Sequence, residues 1–177
     1  MATPTKLMTV EEFAKLPDPL GARRSELFHG EIIEVSAPEH PHVRAQWQLR
    51  RRLDNAADDS GVVITEFPYR PLPEYECWFA DVAYISKERW ESIHRWLMGA
   101  PDLVVEVLSP SNRAAEIREK RKICLENGSR EFWVVDQRAR EVEVWTPDGR
   151  SVTYKSGQQI LLFFAPGASI AVDDIFA

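Results

Sequence analysis

The stretch that decides the fold is Pro101-Asp102-Leu103-Val104-Val105-Glu106-Val107-Leu108-Ser109-Pro110-Ser111. Residues 103–108 form an apolar run that only Glu106 interrupts. Such a run predicts a strand that is buried on both faces of a sheet, with helices on either side. A carboxylate there is costly unless it pairs with a cation or binds a metal. Glu106 is therefore either a metal ligand or acid–base group, or one half of an ion pair at the strand's end.

The segments around this strand predict a mixed α/β (α+β) fold with one sheet flanked by helices. Apolar periodicity and turn residues divide the middle of the chain into alternating elements. The core order is helix, strand, strand, strand, helix, strand. These elements are His42 to about Ala57, Val62–Phe67, Trp78–Ile85, Leu103–Leu108, a helix that follows the cap Ser109–Asn112 and runs to Asn127, and Glu131–Asp136.

Shorter elements flank this core. Thr9 and Glu12 have the spacing of a capping box and predict an N-terminal helix. Two alternating runs around a Gly-containing pair predict a β-hairpin. In order, the flanking elements are the N-terminal helix from Met8, the hairpin Ser25–Phe28 and Glu31–Val35, a short helix Lys87–Met98, antiparallel strands Glu141–Thr146 and Ser151–Lys155, and a strand-and-loop tail from Ile160 to Ala177.

Composition limits the class of protein. The 177 residues favour a single domain, residues 1–177. Lys and Arg number 22 and Asp and Glu 28, giving a formal net charge of −6, which argues against a protein that coats nucleic acid. No apolar run is long enough to span a bilayer and no signal peptide is visible, so we expect a cytoplasmic protein. Cys77 and Cys124 are too few for a disulfide framework and are expected to be buried free thiols.

Asp81 is the second candidate site residue, because aspartate is disfavoured inside a strand and Asp81 lies within Trp78–Ile85. One interpretation is that Asp81 lies on an edge strand and that its side chain faces water. The other places Asp81 beside Glu106 on a neighbouring strand, where the two carboxylates would repel each other. A bound divalent cation such as Mg²⁺ would relieve that repulsion and could activate water.

Lys120 and Glu26 complete the candidate catalytic residues. On a helical wheel Lys120 falls on the apolar arc, between Ile123 and Cys124. It either snorkels to solvent or points at the end of the Glu106 strand, where it could orient water or stabilise phosphate charge. Glu26 lies in the first hairpin strand and, taken alone, would be an exposed carboxylate.

The predicted helix from His42 carries the candidate nucleic-acid contacts. His42 stands at its N-terminus and is either a polar first-turn residue or a group that contacts phosphate. Arg44, Arg50, Arg51 and Arg52 are either a solvated helix face or contacts to a phosphate backbone.

These motifs together resemble the PD-(D/E)XK nuclease superfamily, which has the restriction-endonuclease-like fold, and more closely the Uma-two (Uma2) family of restriction endonucleases. The resemblance covers nearly the whole chain. It rests on the segments Glu26–Ile32, Ala80-Asp81-Val82, Pro101–Ser111, Glu119-Lys120-Arg121 and Glu131–Asp136.

The resemblance implies that Asp81 and Glu106 bind metal and that Glu26 is a further acidic ligand. It implies that the motif lysine comes from the next helix as Lys120, since Leu108 occupies the usual position. Ala80 replaces the usual proline before Asp81. The literal "PD" at Pro101-Asp102 is a decoy, because Asp102 lies about 13 Å from Glu106 along one strand.

The function that the resemblance implies is a Mg²⁺- or Mn²⁺-dependent endonuclease that hydrolyses DNA. One alternative is a catalytically degenerate nucleic-acid-binding module on the same fold, and another is a metal-dependent phosphohydrolase of a different substrate. DNA is the expected partner. A homodimer is expected too, because two symmetry-related sites suit the two strands of a duplex.

Overall fold

A computed structural model describes residues 7–17, 24–109 and 114–177. The helices are α1 (Val10–Phe13), α2 (His40–Ala57), α3 (Lys87–Glu91), α4 (Ala114–Glu126) and α5 (Val172–Ile175). The strands are β1 (Arg24–Phe28), β2 (Glu31–Val35), β3 (Gly61–Arg70), β4 (Trp78–Ser86), β5 (Leu97–Met98), β6 (Leu103–Val107), β7 (Glu131–Asp136), β8 (Glu141–Trp145), β9 (Ser151–Tyr154), β10 (Gln159–Leu161) and β11 (Ser169–Ala171).

A mixed sheet forms the centre of the fold. Over the described residues it has seven strands in the order β5-β3-β4-β6-β7-β8-β9. Strands β6 and β7 are parallel and α4 connects them, whereas β4 runs antiparallel to both of its neighbours, β3 and β6. All five residues of β6 are buried, as the apolar run predicted.

The two faces of the sheet pack against different helices. On one face Leu49 and Leu53 of α2 join Val82 and Val105 in a buried cluster. On the other face Ile117 and Cys124 of α4 pack with Val104. The predicted core order of helix, three strands, helix and strand is therefore confirmed, with helices covering both faces of β6.

The short elements are confirmed in part. Thr9 caps α1 in a capping box with Glu12, and the hairpin β1-β2 turns at His29-Gly30. The helix cap predicted at Ser109–Asn112 stays a prediction, because residues 110–113 lie outside the described residues. The tail contains β10 and β11 and also the short helix α5, which the sequence did not indicate.

The predicted helix 87–98 is wrong beyond Glu91. Helix α3 ends there, and Leu97 and Met98 pair in parallel with Tyr69 and Arg70 as strand β5. The helical spacing of Trp90, Ile93 and Leu97 is misleading, because Leu97 is buried by strand pairing at the edge of the sheet. Apolar spacing alone does not distinguish these cases over so short a run.

Both cysteines are free and buried, as predicted. Cys124 lies 3.3 Å from the Tyr69 hydroxyl inside the core, and burial raises the pKa of its thiol to about 12. None of the described helices has the length and apolar character needed to cross a membrane.

Candidate metal centre

Strand register places three carboxylates in one row across three adjacent strands. Strand β3 pairs with β4 through Thr65–Val82 and Phe67–Ala80, so Glu66 lies opposite Asp81. Strand β4 pairs with β6 up to Val82–Val105, so the next residues, Asp81 and Glu106, are also neighbours. The row Glu66–Asp81–Glu106 therefore crosses the sheet at one end of its central strands.

Glu66 occupies an unusual backbone position. Its φ of 55° is in the left-handed region, which costs energy for a residue other than glycine. The ladder between β3 and β4 skips this residue, and its side chain accepts a hydrogen bond from Gln46 of α2 and pairs with Arg24. Sequence reasoning missed Glu66. An acidic residue within the apolar run Val62–Phe67 was the available signal, of the same kind that identified Asp81.

Asp81 is the best-anchored carboxylate of the row. Its Oδ2 accepts the backbone N–H of Val107 at 2.7 Å, and its Oδ1 accepts the Gln46 amide N–H at 3.0 Å. The His42 Nε2 atom lies 3.2 Å from the same Oδ1. Because β4 is a central strand and Asp81 is buried, the interpretation of a solvent-facing edge residue is wrong.

His42, Glu66 and Asp81 form a potential metal-binding group. One ligand atom from each side chain lies within 4.8 Å of the ligand atoms of the other two. Among the described residues, no other three His, Cys, Asp or Glu side chains come as close together. His42 lies in the first turn of α2 and turns inward, and its buried Nδ1 has no hydrogen-bond partner among the described residues.

The donor set fits a divalent transition metal. Two carboxylates supply the charge and oxygen atoms that hard cations require. An imidazole nitrogen suits first-row transition metals, and Mg²⁺ prefers oxygen ligands throughout. The residues present are therefore compatible with Mn²⁺ through all three side chains and with Mg²⁺ through the carboxylates alone.

A second buried cluster adjoins the row on the α4 side. Lys120 Nζ lies 2.9 Å from Glu26 Oε2 and 3.7 Å from Glu106 Oε1. Lys120 is only 8% exposed, so the alternative that its side chain snorkels to solvent is wrong. The structure thus brings Lys120 to Glu106, as the sequence suggested.

Glu26 is held within this cluster. Its Oε1 accepts the backbone N–H of Phe79 at 3.2 Å, and Arg24 lies 3.8 Å from the same oxygen. Since Glu26 is buried, the interpretation of an exposed hairpin carboxylate is wrong. Glu26 contacts the lysine and is not in the group formed by His42, Glu66 and Asp81.

Charge and burial give Glu106 an unusual protonation state. Burial raises the pKa of Glu106 to about 8, with Lys120 opposing the shift and Asp81 and Glu26 adding to it. Its Oε1 is buried and, in the part of the chain that the structure describes, makes no hydrogen bond. Burial alone would lower the pKa of Lys120, but the carboxylates of Glu106 and Glu26 outweigh that effect and raise it. Burial therefore favours the protonated form of Glu106, and the two carboxylates favour the charged form of Lys120.

The two clusters open into a cleft of about 700 Å³. Its walls come from β2 and the loop after it, the first turn of α2, the end of β6 and one face of α4. Among the described residues that line the cleft, acidic side chains outnumber basic ones. The acids are Glu26, Glu34, Glu39, Glu66, Asp81, Glu106 and Glu116, and the bases are Arg24, Lys120 and Arg138. Such a cleft attracts cations, and a phosphate would enter it only with cations bound.

The arginines of α2 lie outside the cleft lining. Arg44, Arg50 and Arg51 are on the exposed side of the helix, with Arg50 Nε 3.5 Å from the carbonyl oxygen of Val63. Arg52 forms a 3.0 Å ion pair with Asp174 and so helps to hold α5 on the fold. The helix thus offers three outward-facing guanidinium groups.

Asp102 has a structural role. It accepts the backbone N–H of Ser86 at 2.9 Å and pairs with Arg89 at 3.2 Å. These contacts fasten the start of β6 to the end of β4, and Asp102 is not in the group formed by His42, Glu66 and Asp81.

Comparison with known proteins matches this architecture to nucleases. The sequence model of the Uma2 family, described as "Putative restriction endonuclease", matches residues 10–173. Among solved structures the chain is similar to "a putative nuclease belonging to DUF820 from Anabaena variabilis ATCC 29413", with 20% identity and a TM-score of 0.83. The alignment covers 96% of this chain and 97% of that one. The predicted restriction-endonuclease-like fold is confirmed, and no curated protein matches the chain.

Proposed function

Because the chain belongs to the Uma2 family, we propose that it is a Mg²⁺- or Mn²⁺-dependent endonuclease that hydrolyses phosphodiester bonds in DNA. The observation that carries this proposal is the row Glu66–Asp81–Glu106, with His42 and Lys120 on its two sides. Asp81 and Glu106 are buried, and two neighbouring buried carboxylates are unfavourable without a cation. The proposed nuclease-like domain is the whole chain, residues 1–177.

Asp81 is the central ligand of the proposed site. It lies between Glu66 and Glu106, and the Val107 N–H fixes one of its oxygens. His42 and Glu66 complete the site on the α2 side, whereas Glu106 and then Glu26 extend it towards α4. A divalent cation, when bound, activates water for attack and neutralises phosphate charge. Its arrival would also favour the ionised form of Glu106.

Lys120 supplies the fixed positive charge of the site. The Glu26 carboxylate holds its ammonium 3.7 Å from Glu106. In that position Lys120 would orient the attacking water or stabilise the charge that develops on the phosphate. Glu26 would then act as a positioning residue for Lys120 and as an auxiliary acidic group.

Arg44, Arg50 and Arg51 are proposed to contact the DNA backbone, because their side chains lie on the exposed side of α2. We assign His42 to the cation, since its side chain faces Asp81.

We also propose a cytoplasmic location and a homodimer, which would bring two sites to a duplex. Ile175 near the C-terminus is buried in the core and is therefore not available for a dimer contact.

One observation favours the catalytically degenerate alternative. Lys120 already pairs with Glu26 and Glu106, so a permanent internal cation partly neutralises the acids. A non-catalytic nucleic-acid-binding module on this fold would bind DNA and never cleave it.

Calorimetric titration of Mn²⁺ tests the proposal directly. We expect one saturable binding event in the wild type, its loss in Asp81→Asn, and strong weakening in Glu66→Gln and Glu106→Gln. Asp54→Asn is the matched control, because Asp54 is an exposed acid on α2 outside the cleft. Cleavage of circular and linear DNA with Mn²⁺ is measured in parallel. Cleavage that survives in Asp81→Asn would refute the assignment of the site.

A further inference from the structure

The outer side of α2 carries an exposed tryptophan close to the cleft. Trp47 is 52% exposed and Val43, four residues earlier, is 45% exposed. Glu39, four residues before Val43, lines the cleft. Residues four apart lie above one another on a helix, so Glu39, Val43 and Trp47 form one row that leads out of the cleft over about 12 Å.

The surroundings of Trp47 are basic. Arg51 lies over the Trp47 ring, 4.7 Å from its centroid, and donates a hydrogen bond to Gln48. Arg44 and Arg50 are exposed on the same helix. Residues 43–53 contain no acidic residue and four arginines, of which Arg52 pairs with Asp174, although the chain as a whole has a net charge of −6. An exposed aromatic ring within a local excess of positive charge is complementary to a polyanion with planar bases.

We propose that Trp47 and Arg51 form a stacking platform for an unpaired base of the DNA strand whose phosphate lies in the cleft. The inference rests on the proposed function and adds a substrate class to it, namely single-stranded or locally unpaired DNA. Arg51 covers one face of the ring and holds it in position, and the exposed remainder of the ring is available to a base.

An unpaired strand fits this surface better than an intact duplex. In a duplex the bases stack on one another and present only their edges, so an aromatic face has no base to contact. The cleft of about 700 Å³ has the size of a small-molecule site, which suits one strand. A strand that leaves the cleft along the row Glu39–Val43–Trp47 reaches the platform with its backbone near Arg44.

Fluorescence anisotropy with a labelled single-stranded oligonucleotide and the matching duplex tests the proposal in Ca²⁺ buffer. We expect Trp47→Ala to weaken single-strand binding about tenfold and duplex binding by less than twofold, because one base–aromatic stack is lost. Trp47→Phe should retain most of the affinity. Trp90→Ala is the matched control, since Trp90 is also an exposed tryptophan and its ring contacts Phe67, with no arginine stacked over it in the described part of the chain.

Two results would overturn the platform. One is a Trp47→Ala variant that binds the single strand as tightly as the wild type. The other is a change from dimer to monomer in Trp47→Ala by analytical sedimentation with unchanged DNA affinity, which would make Trp47 a protein–protein contact. Circular dichroism of each variant confirms folding.

The design separates failure of the platform from failure of the nuclease. If wild type cleaves DNA, Asp81→Asn does not, and Trp47→Ala keeps full affinity, only the platform is wrong. If no metal supports cleavage but Trp47→Ala still loses single-strand affinity, the nuclease assignment fails and the platform stands as a binding site.

Discussion

The carboxylate of Asp81 accepts the backbone N–H of Val107 at 2.7 Å, across the boundary between strands β4 and β6. Val107 immediately follows Glu106, so this hydrogen bond sets where the Glu106 side chain leaves its strand. The same carboxylate accepts a hydrogen bond from the side-chain amide of Gln46, and the His42 Nε2 atom lies 3.2 Å from it. Both residues belong to α2. Asp81 therefore joins the sheet to the helix that carries the proposed nitrogen ligand, and it serves the fold as well as the proposed site.

Replacing Asp81 should reveal this double role. Asp81→Ala removes the acceptor of the Val107 N–H, and a buried N–H without a partner costs about 1–3 kcal/mol. Asp81→Asn keeps an oxygen for that N–H and should lose much less stability, while losing Mn²⁺ binding as fully as the alanine variant. Urea denaturation without metal gives the free energies of unfolding. Equal destabilisation by both substitutions would show that the hydrogen bond contributes little.

Glu106 should make the metal-free protein less stable as the pH rises. Its pKa is about 8 in the folded state because of burial, against 4.5 in the unfolded chain. Between these two values the folded state binds the extra proton, so the free energy of unfolding falls as pH increases through this window. Glu106→Gln removes the titration and should unfold at a higher temperature than the wild type at pH 8, and at nearly the same temperature at pH 4.5.

Thermal melting in a chelator at the two pH values measures this effect. Each kcal/mol corresponds to about 2–4 °C for a chain of this size. The control is Glu141→Gln, because Glu141 lies on β8 away from the cleft. A wild type that melts at the same temperature as Glu106→Gln at pH 8 would show that Glu106 is already ionised in the metal-free protein.

Most of the fold could be predicted from sequence because its central elements have distinct patterns. The run Leu103–Leu108 identified the central strand, and the capping-box and turn residues located α1 and the β1-β2 hairpin. The segment 87–98 could not be predicted, because Leu97 is buried by pairing with a distant strand. Pairing with residues far away in the chain leaves no local pattern.

The candidate site was predictable to a smaller extent. Asp81 and Glu106 stood out because each is an acidic residue inside an apolar strand, and Lys120 stood out because it falls on the apolar arc of its helix. Glu66 carried the same kind of signal and was missed, and its place beside Asp81 depends on strand register and on a left-handed backbone conformation. The inward direction of His42 likewise depends on how α2 crosses the sheet. Register and crossing geometry are properties of the folded chain.

His29 should give the protein a second pH dependence, at the junction of the hairpin and α4. Its ring lies 2.7 Å from Glu76 on one side and 2.7 Å from Glu119 on the other. Partial burial lowers the pKa of His29, but the two carboxylates outweigh it and raise the pKa above 6.5. The charged form is thus favoured on folding, and its contribution is complete below pH 6.5 and is lost as pH rises through the folded pKa.

His29→Gln should therefore be less stable than the wild type at pH 6 and close to it at pH 9. Both proteins contain Glu106, so its titration affects their melting temperatures equally. The difference between the two melting temperatures therefore reports the titration of His29 alone. His94→Gln is the control, because His94 is an exposed histidine for which the structure shows no ion pair among the described residues. A difference that stays constant from pH 6 to pH 9 would contradict the assignment.

His42 should determine which cation the site prefers. Its imidazole lies beside Asp81 and Glu66 and would add a nitrogen ligand to two carboxylates. Because nitrogen ligands favour Mn²⁺ over Mg²⁺, His42→Ala should weaken Mn²⁺ binding about tenfold or more and change Mg²⁺ binding by less than threefold. Calorimetry with each metal gives the two Kd values. His40→Ala, in the same turn of α2 but outside the cleft lining, is the matched control. If His42→Ala weakens both metals equally, the imidazole acts by positioning Asp81 through their 3.2 Å contact, and direct ligation by His42 is wrong.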